Sequence, residues 1–406
     1  LTVGEVWRPA SAEAVLEVVR GAAADGTRLE IVGGGSRRRL GHAVAADQVL
    51  DVSGLAGITL YEPRELVLTA RPGTPIPEIE ALTQHGQRLA FEPPDLGPLW
   101  GAPAGLGSLG GAVAVGLGGP RRPSAGAPRD HLLGFKAVNG FGEAFAAGGR
   151  VVKNVTGFDL PKLMAGSFGT LGVMTEVTVK VLPAPAAERT LMLGGLDDAA
   201  GLTALRTALS SPYPASGAAH LPAEAAARMG LPGGAAATLI RLEGVSPGIA
   251  AAEAGLTEAL GLRAGGFARI EREESHALWR GIGGAAAFAG SEAPVWRICP
   301  PPASAARLGE ALRAAGVARL FYDWGGGLIW TEGPDDADGG AAAVRGALAG
   351  IAGEGHATLV RAPDGLDASL PRFQPLAPGV ARLTARIKAR FDPLGLFNPG
   401  RMGEAG

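Results

Sequence analysis

The stretch RLEIVGGGSRRRLGH, Arg28 to His42, decides how this chain is read. An apolar, strand-like run feeds three glycines, a serine and three arginines. Gly33 and Gly35 begin the G-x-G-x-x-G count of a dinucleotide-binding βαβ unit, but the third glycine position holds Arg38. That fingerprint also needs a helix behind the glycines, because its third glycine lets helix and strand pack closely. The following segment, RRRLGHAVAAD (37–47), has no helical apolar face, and the next strand begins near Gln48. Asp51 stands about where a ribose-binding acid would, yet the context that gives the motif meaning is missing. What remains is a glycine run between two strands. Glycines tolerate φ > 0 and let backbone N–H groups share one concavity, which binds an anion without a helix dipole. A diphosphate is the natural guest. A plain surface turn is the alternative, and at least two of Arg37–Arg39 read as solvated side chains.

The surroundings of this loop alternate helix and strand. SAEAVLEVVRGAAADG predicts an amphipathic helix over 11–25, with Ser11 as N-cap and Gly26 as its stop. QVLDVSGL (48–55) and LVLTARPGT (66–74) read as strands. TPIPEIEALTQHG reads as a helix entered through Thr74 and Pro75 and stopped at Gly86. The alternation over the first 90 or so residues is an α/β signal. Two further glycine-rich stretches follow, both expected as loops. They are GSLGGAVAVGLGGPRR (107–122) and, after a short helical turn capped by Asp159, the run with Gly166, Gly169 and Gly172. Neither the Rossmann pattern nor the G-K-[ST] ending of an ATP phosphate loop is present. Three separate glycine loops suggest one long ligand with several parts.

LLGFKAVNGFGEAFAAGG predicts a hairpin around Asn139-Gly140, a strong turn pair. Residues 173–181 alternate as a strand, Val173, Thr175, Val177, Val179 and Val181 on one face and Met174, Glu176, Thr178 and Lys180 on the other. LPAPAAE (182–188) breaks the pattern and is read as a domain boundary. Ala-rich helices and strands then alternate over 189–350, with a hairpin RLFYDW/LIWTE across Gly325–Gly327. The tail reads as a basic amphipathic helix, an Asp-Pro stop and an Asn-Pro-Gly turn.

The totals narrow the function. The 406 residues leave room for two or three domains. There are 65 glycines, twice the usual share of ~7%, without a triplet period, which excludes a collagen-like chain. A net charge of −2 gives no electrostatic footprint for nucleic acid. Cys299 is the single cysteine, so no internal disulfide forms and no four-thiolate iron–sulfur cluster can be held. No apolar run reaches the ~18 residues of a membrane span, and no secretory signal pattern opens the sequence.

The ordered phrases IVGGGS, GSLGGAVAVGLGGPRRP and VVKNVTGFDLPKLMAGSFGTLGVMTEV resemble the FAD-binding domain of the vanillyl-alcohol-oxidase (PCMH-type) flavoproteins. The closing FDPLGLFNPGRM resembles that family's C-terminal signature. Within the family, GPRRP, KNVTGFD, VWRICPPPA, YDWGGGLIW and GHATLVRAP are most similar to the FAD-binding subunits of bacterial glycolate oxidases. The resemblance implies an α+β (α/β-like) fold. Two α/β subdomains would clasp FAD over 1–185, a cap of antiparallel sheet with flanking helices would span 186–350, and 351–406 would return to the flavin. It also implies roles. Gly33, Gly34, Gly35, Ser36 and Arg37 would hold the pyrophosphate through backbone amides. Ser108, Leu109, Gly110 and Gly111, with Ala114, would continue along the diphosphate and ribityl chain. Thr170, Gly172 and Val173 would lie against the adenine–ribityl or flavin part, and Asn398 would come back to the flavin. Covalent attachment in this family often uses a histidine beside the first loop. Here Ser36 stands in the loop and His42 lies farther on, so the FAD is expected to be non-covalent.

The implied activity is a 2-hydroxy-acid dehydrogenase complex, glycolate to glyoxylate, with electrons passing through flavin to a partner. The implied partners are a D subunit with its own FAD and an iron–sulfur subunit. The implied location is the cytoplasm, or the inner membrane surface through those partners. Two other readings stay open, a non-catalytic FAD-binding scaffold of that complex and a self-sufficient flavin oxidoreductase with another substrate. The D subunit and its relatives carry a metal-binding His-x-His pair, whereas the six histidines here are scattered, and no metal site is expected. Phe168 and Phe158 stand where those relatives carry an acid and a tyrosine. His356 and Arg361 are the candidates for base and carboxylate clamp, and Lys153, with Asn154, is the alternative beside the flavin.

Overall fold

The computed structural model describes residues 5–82, 86–150, 157–263, 265–334, 336–351, 355–363, 365–367 and 369–403. Ser11 starts the first helix, Ala12–Asp25, by accepting a hydrogen bond from the Ala14 amide at 3.1 Å, and Gly26 at φ 70° ends it. Val15, Val19 and Ala22 form its buried face, the expected helical spacing. The strand Leu29–Val32 leaves this helix and pairs in parallel with Gln48–Asp51, which pairs in parallel with Val6–Trp7. The crossover from Val32 to Gln48 contains no helix. A parallel return needs a dozen or more residues, and the glycine–arginine loop itself supplies them.

A five-stranded antiparallel sheet follows, in the order Ile58–Glu62, Val67–Ala70, Val173–Lys180, Leu132–Val138 and Ala144–Gly148. Val173–Lys180 lies at its centre, so both faces of this strand are covered and only Glu176 and Lys180 are not buried. The 139–143 hairpin turns otherwise than expected. The Asn139 side chain accepts from the amides of Phe141 and Glu143, both at 3.0 Å, and the left-handed residue is Gly142, not Gly140. The helix Ile76–Glu80 is a single turn or so, shorter than expected.

The second half is one eight-stranded sheet. Its order is Ala268–Glu271, Ala187–Gly194, Ala237–Gly244, Ala215–Leu221, Arg319–Asp323, Leu328–Glu332, Val295–Cys299 and His356–Arg361. All its pairings are antiparallel. One face carries the helices Asp198–Ser210, Ser246–Ala259, Ala305–Ala314 and Ala341–Ala349 through Leu205, Leu256, Leu308 and Val344. The other face packs Leu278, Trp279 and Ile282 of the helix Arg272–Gly283 together with Leu40, Leu96 and Leu99 of the first half. The sheet is thereby seated on the glycine-loop region. Because His356–Arg361 is its edge strand, the tail separates from the second half only after Arg361, later than the expected 351.

The tail then crosses back. The helix Pro378–Phe391 lays Ile387 and Phe391 on the core of the five-stranded sheet. The Leu29 amide donates to the Leu396 carbonyl at 2.7 Å and the Asn398 amide to the Leu29 carbonyl at 2.9 Å.

Candidate functional site

The first and second glycine stretches are pressed together, and the glycines are what permit it. A Cβ on Gly34 would stand 1.7 Å from the Leu106 carbonyl oxygen, and one on Gly33 would stand 2.5 Å from Ser108 Oγ. Of the first loop's glycines, Gly33 to Gly35, only Gly35, at φ 77°, is left-handed, so close approach is the main requirement at 33 and 34. The second stretch is a helix where a loop was expected. Ser108 caps Leu109–Val115 by accepting from the Gly111 amide at 3.3 Å, and Gly110 lies against Pro72. The third stretch is a loop as expected, but Asp159 makes no cap hydrogen bond and instead pairs with Lys162 at 2.7 Å.

A narrow cavity of about 110 Å³ lies between these three stretches. Its wall includes Gly33, Gly34, Gly35, Ser36, Arg37, Ser108, Gly110, Gly111, Ala114, Gly172 and Asn398. Three of the residues expected to touch FAD do not line this cavity. Leu109 is fully buried in the core of the five-stranded sheet and Val173 in that of the first helix. Thr170 Oγ1 donates to the Ser167 carbonyl at 2.7 Å. Asn398 reaches the wall, but both ends of its amide are engaged. Oδ1 accepts from the Ile31 amide and Nδ2 donates to the Phe168 carbonyl, each at 2.8 Å. It therefore joins the first strand to the third loop.

The amides of Gly33, Gly34, Gly35, Ser36 and Arg37 make no hydrogen bond among the described residues. Buried Nε of Arg37 has no partner either. Consecutive unpaired amides beside a guanidinium form a donor set without acceptors, which suits a phosphate-bearing ligand. The glycines that let the two loops close over this space complete a cradle in which the diphosphate of FAD fits. Arg38 and Arg401 are otherwise committed, both to Glu30.

Arg37 also borders a second, wider cavity of about 680 Å³ between the two halves. From the first half this cavity is walled by Arg88, Glu92, Pro93 to Asp95 and Arg121, and from the second by Glu188, Arg272, His276, Trp279 and Arg280. Its floor is an ionic network. Arg121 meets Glu243 at 2.6 Å and Glu92 at 2.5 Å, and Arg88 meets Glu243 at 2.5 Å. Burial works against ionised Glu92 and Glu243, but the Arg241 and Arg121 guanidiniums overcome it and hold both carboxyls below the ordinary range. His276 stands exposed at the rim, where partial burial and the nearby Arg280 and Arg121 hold its pKa below the usual imidazole value.

The expected catalytic pair borders neither cavity. Arg361 is 4% exposed and structural. Nε donates to the Ala293 carbonyl, Nη1 to those of Leu99 and Phe288, and Nη2 to Glu332 at 3.2 Å. Four of its five N–H donors are thereby committed to the scaffold, and the group borders neither cavity. His356 is exposed on the sheet edge opposite Cys299. Lys153 and Asn154 lie outside the described residues. Sequence reading missed the wide cavity and His276, because a histidine in a charged helix, REESHALWRG, carries no motif. Phe168 lines the narrow cavity and stacks edge-on to Phe373 with centroids 5.1 Å apart, and Phe158 is 91% exposed.

Known proteins agree with this geometry. The FAD binding domain family matches residues 5–148. The chain is 37% identical to glycolate oxidase subunit GlcE of Escherichia coli over 394 residues, covering 96% of this chain and 97% of that protein. It is 33% identical to glycolate oxidase subunit GlcD of Bacillus subtilis over 132 residues, 32% of this chain and 26% of that one. Among solved structures, 4-ethylphenol oxidase from Gulosibacter chungangensis superposes with a TM-score of 0.70 at 18% identity, covering 98% of this chain and 88% of that one. p-Cresol methylhydroxylase does so with 0.67 at 15%, covering 98% and 88%. These likenesses fix the fold as the α+β, PCMH-type one. The near full-length match and the amide cradle lead to one assignment: the chain belongs to the GlcE family of FAD-binding flavoproteins.

Proposed function

We propose that this chain is the FAD-binding subunit of a glycolate oxidase-type complex that oxidises glycolate to glyoxylate. The observation that carries the reading is the pair of adjoining cavities with Arg37 as their common wall. The narrow one offers amide donors for a diphosphate, and the wide one offers room for a flavin ring and a small 2-hydroxy acid. Bound FAD would supply the two-electron acceptor. Gly33 to Arg37, Gly110 and Gly111 would hold its diphosphate, and the wall from Pro93 to Asp95 would flank the ring. The binding is non-covalent in this reading, because the nearest histidine to the loop is engaged elsewhere. His42 Nε2 accepts from the Arg372 amide at 3.1 Å. Residues 1–185 form the FAD-binding part, and 186–361 the cap that closes the wide cavity.

His276 takes the role first assigned to His356. It is the histidine that borders the wide cavity, and its lowered pKa keeps it neutral at neutral pH, as a proton acceptor must be. The partners are a D subunit with its own FAD and an iron–sulfur subunit that carries the electrons onward. Among the described residues no helix is long and apolar enough to cross a membrane. The complex would work in the cytoplasm or, through its partners, at the inner membrane surface.

A non-catalytic role in the same complex is favoured by one observation, the commitment of four of the five Arg361 donors to the scaffold, away from both cavities. The deciding experiment is anaerobic addition of glycolate to the purified, FAD-loaded chain. Bleaching of the flavin supports oxidation by this subunit. A yellow protein that bleaches only when the D subunit is added supports the scaffold role. A self-sufficient oxidoreductase would bleach with another hydroxy acid and not with glycolate.

A further inference from the structure

We propose that the Arg37 side chain is a dedicated anion site whose guanidinium is the counter-charge to the diphosphate of FAD. The proposal rests on the FAD-binding reading above and adds a side-chain contact to the expected backbone amides. Half-buried Arg37 contrasts with four buried arginines that are paired, while buried Arg297 and Arg372 share its lack of a carboxylate contact among the described residues. Arg121, Arg241, Arg361 and Arg401 each meet a carboxylate, at 2.6 Å to Glu243, 2.8 Å to Glu92, 3.2 Å to Glu332 and 3.0 Å to Glu30. Arg37 meets none. Its Nη2 donates to the Pro94 carbonyl at 2.6 Å, its Nη1 makes a long contact to Ser36 Oγ at 3.4 Å, and its buried Nε is without a partner.

The nearby carboxylate, Asp95, acts on Arg37 only through its charge and is turned to backbone amides. Its Oδ1 accepts from the Gly97 amide at 3.1 Å and its Oδ2 from the Gly105 amide at 2.7 Å. A cation taken from water without a paired anion is costly, and folded proteins keep such a charge where a ligand completes it. Burial pulls the pKa of Arg37 down only to about 10, so the group stays charged at neutral pH.

Its position selects the diphosphate over the flavin ring. The guanidinium lies against the backbone of the narrow cavity, where a Cβ on Gly107 would stand 3.0 Å from Nη1 and one on Gly111 would stand 4.0 Å away. Gly33 to Arg37, whose amides are unpaired among the described residues, line the same space. A guanidinium fork beside a row of amides matches the oxygens of a diphosphate, which carry two charges, better than a neutral ring carbonyl. At least two of Arg37–Arg39 read as solvated, and Arg37 is expected at the diphosphate through its backbone amide, so the sequence gives no hint of its half-buried side chain.

The test uses three probes on the flavin-stripped full chain. FAD carries ring and diphosphate, ADP the diphosphate with adenosine but no flavin ring, and riboflavin the ring with its ribityl chain but no phosphate. Titration calorimetry on wild type, Arg37→Gln and Arg37→Lys gives the affinities, and the melting temperature of each variant is recorded. Arg37→Gln is expected to weaken FAD and ADP by the same factor, roughly 10- to 100-fold, and to leave riboflavin unchanged. Arg37→Lys is expected to fall between. Unchanged FAD affinity would overturn the proposal. A loss shared by FAD and riboflavin but not ADP would also overturn it, by moving the contact to the ring. An equal loss of all three with a lower melting temperature would make Arg37 a structural residue. Failure of the wild type to bind FAD would instead overturn the FAD-binding reading on which the proposal stands.

Discussion

Arg241 and Glu92 join the two halves of the molecule through a paired contact. The Arg241 Nη1 and Nη2 donate to the two Glu92 carboxylate oxygens at 2.8 and 3.0 Å. Arg241 lies in the cap strand Ala237–Gly244 and is fully buried, with its guanidinium 4.7 Å over the Trp279 ring. Glu92 lies in the FAD-binding half and also accepts from the Arg121 amide at 2.7 Å. Glu92 lines the wide cavity and Arg241 holds it from behind, so the pair ties the cap to the cavity wall.

Glu92→Gln is therefore expected to leave two buried guanidiniums short of an anion. Removing one member of a buried pair costs about 3 kcal/mol, read as a lower urea midpoint with an unchanged slope. The same network fixes the acid limb. Glu92 and Glu243 have folded pKa values below their ordinary 4.5. Their contribution is present above that value and is lost as pH falls through the folded values. The melting-temperature gap between wild type and Glu92→Gln should hold from neutrality down to about pH 5 and then narrow. An unchanged midpoint in the variant would deny the network its role.

Asp323 predicts the opposite pH dependence. It is 1% exposed, its Oδ1 caps the Trp324 amide at 2.7 Å, and its Oδ2 has no partner. Burial pushes its pKa to about 7. The folded value lies above the unfolded 3.8, so this group favours folding fully only below the unfolded value, and that contribution is lost as pH rises through about 7. Asp323→Asn keeps an oxygen for the cap. It should match wild type near pH 4 and melt higher at pH 8. A variant less stable than wild type at pH 8 would contradict this.

Gly34→Ala tests the cradle. The added methyl would meet the Leu106 carbonyl at 1.7 Å, so the first and second loops must part. Overpacking of this kind costs ~1–3 kcal/mol, and FAD affinity should fall roughly 10-fold or more. The flavin content of the purified variant, with circular dichroism to check the fold, measures it. Full flavin occupancy would show that the loops need not touch.

The histidines separate the two placements of the proton acceptor. In the reconstituted complex, His276→Gln is expected to lower turnover with glycolate and remove the acid limb of its pH profile. His356→Ala, on the sheet edge, should leave both unchanged. The reverse pattern would restore His356.

Much of this fold is legible in the sequence where local chemistry dictates it. Ser11 and Gly26 mark both ends of the first helix, and the 319–332 hairpin turns at its glycines as read. Val173–Lys180 was evident as a strand, yet alternation could not tell that it is central and covered on both faces. The glycine loops were legible as a cradle because close approach leaves no room for a side chain. The second stretch was misjudged as a loop because its helix, Leu109–Val115, is held by tertiary packing against Pro72 rather than by propensity. Arg361 looked available because nothing in GHATLVRAP announces the Ala293, Leu99 and Phe288 carbonyls that fold around it. The wide cavity arises between distant segments, so no local pattern could reveal it.

The central claim is that this chain by itself holds FAD without a covalent bond. The direct measurement is to purify the chain alone, saturate it with FAD, remove excess, and then precipitate the protein with acid. The account predicts a yellow protein before precipitation, with all the flavin absorbance in the supernatant afterwards and FAD as the released species. Flavin colour retained in the washed pellet would contradict the non-covalent assignment. A colourless protein that FAD cannot reconstitute would contradict the account itself.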